Sequence, residues 1–377
     1  MNQATAKRLL REGAVFLFLD VPEGTEFGID MKSWNTCEKF RGVKMIPPGI
    51  HYIFYSAVND YGDIAPRSGF FYNFKQGEMI AKKWDKDECD MSVDIITENE
   101  IVGFKENLMA LDQFLGPYPY DISEKWSNLS SHITEMTIQR IQPLSGVIRS
   151  ALELISYENS VRSKQNKTDE SPSSSKHAKR SRFSGDEKFL DNLLPDLRPK
   201  PGTELRFTEL PSKHYPENST PSEITQHNLD LTYTLECLLQ NYDSEMDLIG
   251  ELELSYICFL VGHSFEAFEH WKIIIGLLCE CENAISKHRN IYDAFISVLE
   301  IQINEVPEEF LADIVSNNNF VYVKLRSLFR SINECNVDGR LKTKVERFKR
   351  RLTDKFGWDF SHLDSEDEED APVIVET

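Results

Sequence analysis

The sequence predicts an α+β protein, with strands gathered in its N-terminal half and helices in its C-terminal half. Three observations carry that expectation. Apolar residues alternate with a period of two from about residue 14 to 95, then recur every three or four positions from residue 97 onward. Residues 159–187 lose nearly all aliphatic side chains and become rich in Ser, Lys and Arg, leaving too little apolar surface to offset the entropy of ordering. Beyond residue 358 the helical pattern stops in an acidic run closed by a short β-branched segment. The expected organisation is a β-rich N-terminal domain with packed helices (1–158), a disordered linker (159–187) and an extended connector (188–219). A C-terminal all-α helical stack (220–358) and a disordered acidic tail ending in a strand-like peptide (359–377) complete it.

Residues 4–12 read as a short helix closed by Gly13, and strands are expected at 15–19, 43–46, 50–56, 70–74 and 79–84. The stretch 24–55 organises this half. Pro47-Pro48-Gly49 demands a chain reversal. Ile50, Tyr52 and Phe54 then alternate with His51, Ile53 and Tyr55, so both faces of that strand are largely apolar. A meander folded into a sandwich or barrel is expected. Thr97-Glu98-Asn99-Glu100 is a capping box, and the stripe Ile101, Phe104, Leu108, Leu111 and Leu115 should lie on the sheet until Gly116-Pro117 ends the helix. Asp121 and Glu124 repeat the box before Ile122, Trp126, Leu129 and Ile133, with Tyr118-Pro119-Tyr120 as a rigid aromatic corner.

Thr220-Pro221-Ser222-Glu223 is the clearest helix start in the chain, with a capping Thr, Pro at the first position and Glu three residues on. Amphipathic segments follow at about 251–262, 265–280, 289–304, 308–316, 320–332 and 340–356, and their short connections predict antiparallel neighbours. Phe265, Phe268, Trp271, Ile275 and Leu278 are expected in the core, with His270 hydrogen-bonded at its boundary.

A net charge of −20 argues against a general nucleic-acid binder, which needs a basic surface. One local basic cluster exists: Lys176, Lys179, Arg180 and Arg182 read as a nuclear address, an RNA contact or plain solvated charge. Ser171 and Ser173 beside it, and Ser365 in an acidic setting, are candidate phosphorylation sites. Nothing at the start reads as a signal peptide, and no run approaches the roughly 18 apolar residues of a membrane span. Seven scattered cysteines indicate a reducing compartment, nucleus or cytoplasm. Cys279 and Cys281 read as core thiols. No phosphate-cradling, nucleophile-elbow, zinc-helix or dinucleotide motif is present. A binding protein without catalytic residues, metal or other cofactor is expected.

The tail carries a second candidate binding element. Asp364 and Glu366 to Asp370 form a solvated acidic tether. Val373, Ile374 and Val375 after Pro372 make a single strand that needs a sheet edge, on a partner or on this chain.

Several longer strings carry a family resemblance. KFRGVKMIPPGIH (39–51), preceded by GTEFGID (24–30), is similar to the mating-type-cistron splicing factor family, the Aar-two-like assembly factors of the U5 snRNP. LDQFLGPYPY (111–120), GTELRFTELP (202–211) and FEAFEHWK (265–272) extend the resemblance over most of the chain outside residues 159–187. It implies a VHS-like helical domain. It also implies a non-enzymatic role in pre-mRNA splicing, with the U5 snRNP precursor and its large central scaffold protein as partners. Residues 373–375 would bridge the scaffold's RNase-H-like and Jab/MPN domains by strand addition, delaying docking of the unwinding helicase. The net charge and the lack of a long apolar run lead to the expectation of no membrane and no direct nucleic-acid contact. An RNA-binding adaptor acting through the basic linker is the alternative.

Overall fold

Two five-stranded sheets, stacked face to face, account for the N-terminal half. The computed structural model describes residues 3–59, 61–152, 154–156, 197–306, 319–337, 339–360 and 363. The helix α1 (Gln3–Glu12) leads into β1 (Ala14–Leu19), β2 (Glu26–Ile29), β3 (Lys32–Asn35), β4 (Gly42–Ile46), β5 (Gly49–Ser56), β6 (Ser68–Phe74), β7 (Met79–Asp85) and β8 (Asp90–Met91). Later come β9 (Leu115–Pro117) and β10 (Ile148–Arg149). One sheet has the order β8-β7-β1-β4-β9, the other β10-β6-β5-β2-β3.

The meander expected from the sequence is not what forms. β1 runs parallel to β7, and β4 parallel to β9, so strands distant in sequence become neighbours. Pro47-Pro48-Gly49 does turn the chain, but it carries β4 of the first sheet into β5 of the second. Gly42 sits at φ 140°, and a Cβ there would come 2.0 Å from the Phe16 carbonyl oxygen. Only glycine lets β4 close against β1 at that point.

The two-sided apolar strands follow from layering. Phe16, Phe18, Phe27, Ile29, Ile53 and Phe70 fill the space between the sheets. On the outer face of the first sheet, Val15, Leu17 and Met79 receive Ile101, Phe104 and Leu108 from α2 (Glu98–Glu106) and α3 (Leu108–Leu111). On the outer face of the second, Tyr52, Phe54 and Phe71 meet Leu254, Ile257 and Cys258 of the helical stack. Both sheets are therefore inner layers, which is why their strands lack a polar face.

The capping box at Thr97 and Glu100 forms as expected, but the helix breaks at Asn107, and Leu115 to Pro117 pair as β9 instead of ending a helix. No box forms at Asp121; that carboxylate pairs with Lys32 at 2.8 Å, and α4 (Ser123–Leu129) starts without a side-chain cap. Next, α5 (Glu135–Ile141) is capped by Thr134. The short ribbon β11 (Leu154–Ser156) and β12 (Leu197–Pro199) flanks the undescribed residues 157–196.

The stack comprises α6 (Pro221–Leu229), with its expected capping box, then α7 (Thr232–Leu239), α8 (Met246–Leu260) and α9 (Phe265–Cys279). It continues through α10 (Ala284–Lys287), α11 (Arg289–Glu305), α12 (Phe320–Glu334) and α13 (Gly339–Phe356). The helix expected at 308–316 lies outside the described residues. Leu252, Tyr256, Trp271, Phe295, Leu325 and Phe329 are among its core residues. Phe265 is a correction. As the first residue after the Ser264 cap it projects past the apolar stripe and is 70% exposed.

Candidate functional site

Helix α8 decides how the two halves meet. Every residue from Leu248 to Cys258 is buried, so this helix is surrounded on all sides. Its sequence carries two glutamates, and both are fully buried. Two residues apart on a helix they point in nearly opposite directions, so each must find donors in a different neighbour. Unpaired, either would carry a large desolvation cost.

Glu251 draws in four segments. Its Oε1 accepts from the Thr208 amide and meets His270 Nε2, both at 2.8 Å. Its Oε2 accepts from Thr208 Oγ1 at 2.9 Å, from the Tyr242 hydroxyl at 3.0 Å and from Arg140 Nη2 at 3.2 Å. Burial pushes this carboxyl up, but the His270 and Thr208 contacts outweigh it and hold the group below its ordinary value. The His270 ring also stacks on Phe207 at 4.1 Å, which matches the hydrogen-bonded boundary role expected of it.

Glu253 faces the loop before α5. It accepts from the His132 amide at 2.7 Å and from Ser131 Oγ at 2.9 Å, and it meets His132 Nδ1 at 2.7 Å. The Glu253 hydrogen bond raises His132 above the usual imidazole value, against partial burial. Gly250 makes the approach possible, since a Cβ there would lie 2.6 Å from the His132 carbonyl oxygen.

A third link comes from the second sheet. Arg67 stacks over Phe54 at 4.3 Å, donates to the Val261 carbonyl at the end of α8 at 2.6 Å, and pairs with Glu26 at 2.7 Å. Lys125 of α4 also pairs with Glu305 of α11. Together these contacts form a seam of buried and half-buried charge joining sheet, connector and stack.

A separate buried carboxylate lies within the N-terminal half. Asp30, at φ 57°, meets His51 Nδ1 at 2.8 Å and accepts from the Tyr118 hydroxyl at 2.6 Å and the Tyr52 amide at 3.1 Å. His51 Nε2 reaches the Pro47 carbonyl at 2.8 Å, so both ring nitrogens face oxygen acceptors. Burial and the Asp30 charge push the Tyr118 hydroxyl up, which keeps it protonated. Acid, imidazole and phenol all point inward and bond one another. Their chemistry is to pin the 47–51 turn and the aromatic corner at Tyr118.

Open surface lies elsewhere. A cleft of about 630 Å³ runs past Tyr55, Asp90, Arg149 and Lys200, near the ribbon at 154–199. A smaller one of about 340 Å³, between α9 and α12, is lined by Leu210, Ile273, Leu277 and Phe320, with Lys272 and Glu280 at its rim. Burial pushes the Cys279 and Cys281 thiols up, and Cys281 donates to the Leu277 carbonyl. Among the described residues no three His, Cys, Asp or Glu side chains come together as a metal site, and no helix is long and apolar enough to cross a membrane.

The sites expected from the sequence fall outside the described residues. This applies to Val373, Ile374 and Val375, to Ser365, Ser171 and Ser173, and to Lys176, Lys179, Arg180 and Arg182. Sequence reading passed over Asp30, Arg67, Arg140, His132, Glu251 and Glu253. One signal was available: two glutamates inside the otherwise apolar run 246–260.

Fold and seam define a two-part α+β protein in which buried charges join a layered β-sandwich to a helical stack. Comparison with known proteins then identifies its family. Residues 12–143 match the AAR2 N-terminal domain and residues 207–361 the AAR2 C-terminal repeat region. The chain is 41% identical over 384 residues to the protein AAR2 homolog of Homo sapiens, covering all of this chain and 97% of that one. Identity to the Mus musculus homolog is 40% over 382 residues, and to that of Caenorhabditis elegans 35% over 362, or 94% of this chain and 96% of the relative. The chain belongs to the AAR2 family.

Proposed function

We propose that this protein is a non-enzymatic assembly factor of the U5 snRNP, acting in nucleus and cytoplasm. In this reading it holds the large central scaffold protein through its RNase-H-like and Jab/MPN domains and delays docking of the unwinding helicase. Family membership over the whole chain supports this reading. The structural observation that carries it is the seam. Glu251 and Glu253, both fully buried, bond protein donors on several segments and join two halves into one platform. Such a platform presents a composite surface to a large partner, while residues 373–375 supply a strand for a sheet edge. Two contacts on one partner raise affinity by effective concentration, without any one contact being strong.

The test is binding of the full chain, and of a chain ending at Leu363, to the isolated RNase-H-like and Jab/MPN domains. Loss of joint binding in the shortened protein, with its melting curve unchanged, supports strand addition. Unchanged binding moves the contact to the platform. Failure of both chains to bind either domain overturns the proposal.

A further inference from the structure

The last helix and the segment that follows it carry opposite charge. α13 holds eight Lys or Arg against two acidic residues, on a chain whose net charge is −20. Residues 364–370 hold six acidic residues and no base. The path between them sets a direction. After α13 the chain turns back beside α12: Thr353 Oγ1 donates to the Trp358 carbonyl at 2.7 Å, and the Tyr322 hydroxyl to the Asp359 carbonyl at 2.7 Å. Phe360 packs on Phe329 with ring centres 5.1 Å apart, and Arg330 Nε donates to the Leu363 carbonyl at 2.9 Å. Along α12 these contacts advance from 322 to 330, so the chain heads from the C-terminal end of α13 toward its N-terminal end.

Basic side chains line the way ahead. Lys349 lies over the Phe329 ring at 5.3 Å, and Lys342 donates to the Asn333 carbonyl at 2.9 Å, which places both on the α12 side of α13. Arg350 is exposed, and its Nε makes a long 3.4 Å bond to the Glu346 carbonyl oxygen. Seven extended residues span about 23 Å, more than the roughly 14 Å of α13 from Lys349, level with Phe329, back to Arg340. Reach, direction and sign agree.

We propose that the occupant of this basic seam is the chain's own acidic run, with residues 364–370 lying along Arg330, Lys342, Lys349 and Arg350. The contact is electrostatic and reversible, because Arg330, Lys342 and Arg350 are near solvent and screened by salt, whereas Lys349 is buried against Phe329 and shares its charge with Glu346. It holds residues 371–377 close to the N-terminal end of α13 until a partner or salt competes. The inference does not depend on which partner takes the terminal strand.

Carbodiimide coupling of the full chain, read by mass spectrometry of the monomer, tests it by joining carboxylates to lysines in contact. Products linking Glu366 to Glu369 with Lys342 or Lys349 are expected. They should fall at least about fivefold between roughly 0.1 and 1 M salt, as the screening length shrinks from about 10 to about 3 Å. Arg350→Gln, at an exposed position that leaves both lysines in place, should lower them about twofold. The Lys349–Glu346 product, from a 2.7 Å pair, serves as internal control in every sample. Tail products on other lysines, in dimers alone, unchanged by salt, or absent would each overturn the proposal.

Discussion

The buried carboxylates Glu251 and Asp30 have the same burial but different reach. Each is fully buried and each meets a histidine at 2.8 Å. Asp30 gathers His51, Tyr52 and Tyr118, all within the N-terminal half. Glu251 gathers Arg140, Thr208, Tyr242 and His270, from both halves and the connector between them. The lesson is that the same chemistry can set a unit's internal fold or the way two units sit together. Which it does depends on how far apart in sequence the donors lie.

Removing the more far-reaching acceptor should have the largest effect. Glu251→Ala leaves Arg140 and His270 without their carboxylate, and breaking a buried pair costs about 3–5 kcal/mol. Calorimetry should show lower stability and a melt split into two transitions, because the lost contact lies between the halves. Asp30→Asn sharpens the comparison. Asn tolerates the positive φ there, so the loss is that of the charge-assisted hydrogen bonds, about 1.5–3 kcal/mol, and the melt should stay a single transition.

The seam should also respond to pH, with opposite signs at His132 and Glu251. His132 has a raised folded value, mainly from its Glu253 hydrogen bond. Its contribution is full below the ordinary imidazole value and lost as pH rises through the raised one. Glu251 has a lowered folded value: burial acts against it, and the His270 contact prevails. Its contribution is full above the ordinary carboxylate value and lost as pH falls through the lowered one. His132→Asn should therefore flatten the alkaline side of the stability profile and leave the acid side unchanged. Urea titrations across pH 3–9 would read both limbs.

Smaller still is Tyr52→Phe. The Tyr52 hydroxyl is buried without a hydrogen-bond partner among the described residues, so its removal should be neutral or stabilising, within about 1 kcal/mol. Phe265→Ser should shift stability least, by no more than about 0.5 kcal/mol, because that ring is largely in solvent. A large loss in either case would mean that the seam is packed differently from this description.

Local signals were the legible part. The capping boxes at Thr97 and Thr220 form where hydroxyl and carboxylate stand three residues apart, since the geometry involves one turn and nothing else. The strands at 14–19, 42–46, 49–56, 68–74 and 79–85 were readable from their apolar density. β2 and β3 were not, because Glu26–Ile29 and Lys32–Asn35 are four residues each with mixed polarity. The box expected at Asp121 failed because Lys32, 89 positions away, holds that carboxylate. Candidate sites in the linker and tail were read from composition alone. The seam was missed, since a glutamate inside an apolar helix does not announce which distant donor it will meet.

By itself the sequence determined the α+β class, the order of strand-rich and helical halves and most helix starts. These depend on residue period and on contacts within a single turn. Tertiary structure alone decided that β1 pairs with β7 and β4 with β9, that both sheets are inner layers, and that Glu251 and Glu253 join the halves. Those outcomes depend on which distant surfaces meet. A buried charge or a strand edge takes whichever complementary group the packed layers bring within 3 Å or so, and that distance is not written along the chain.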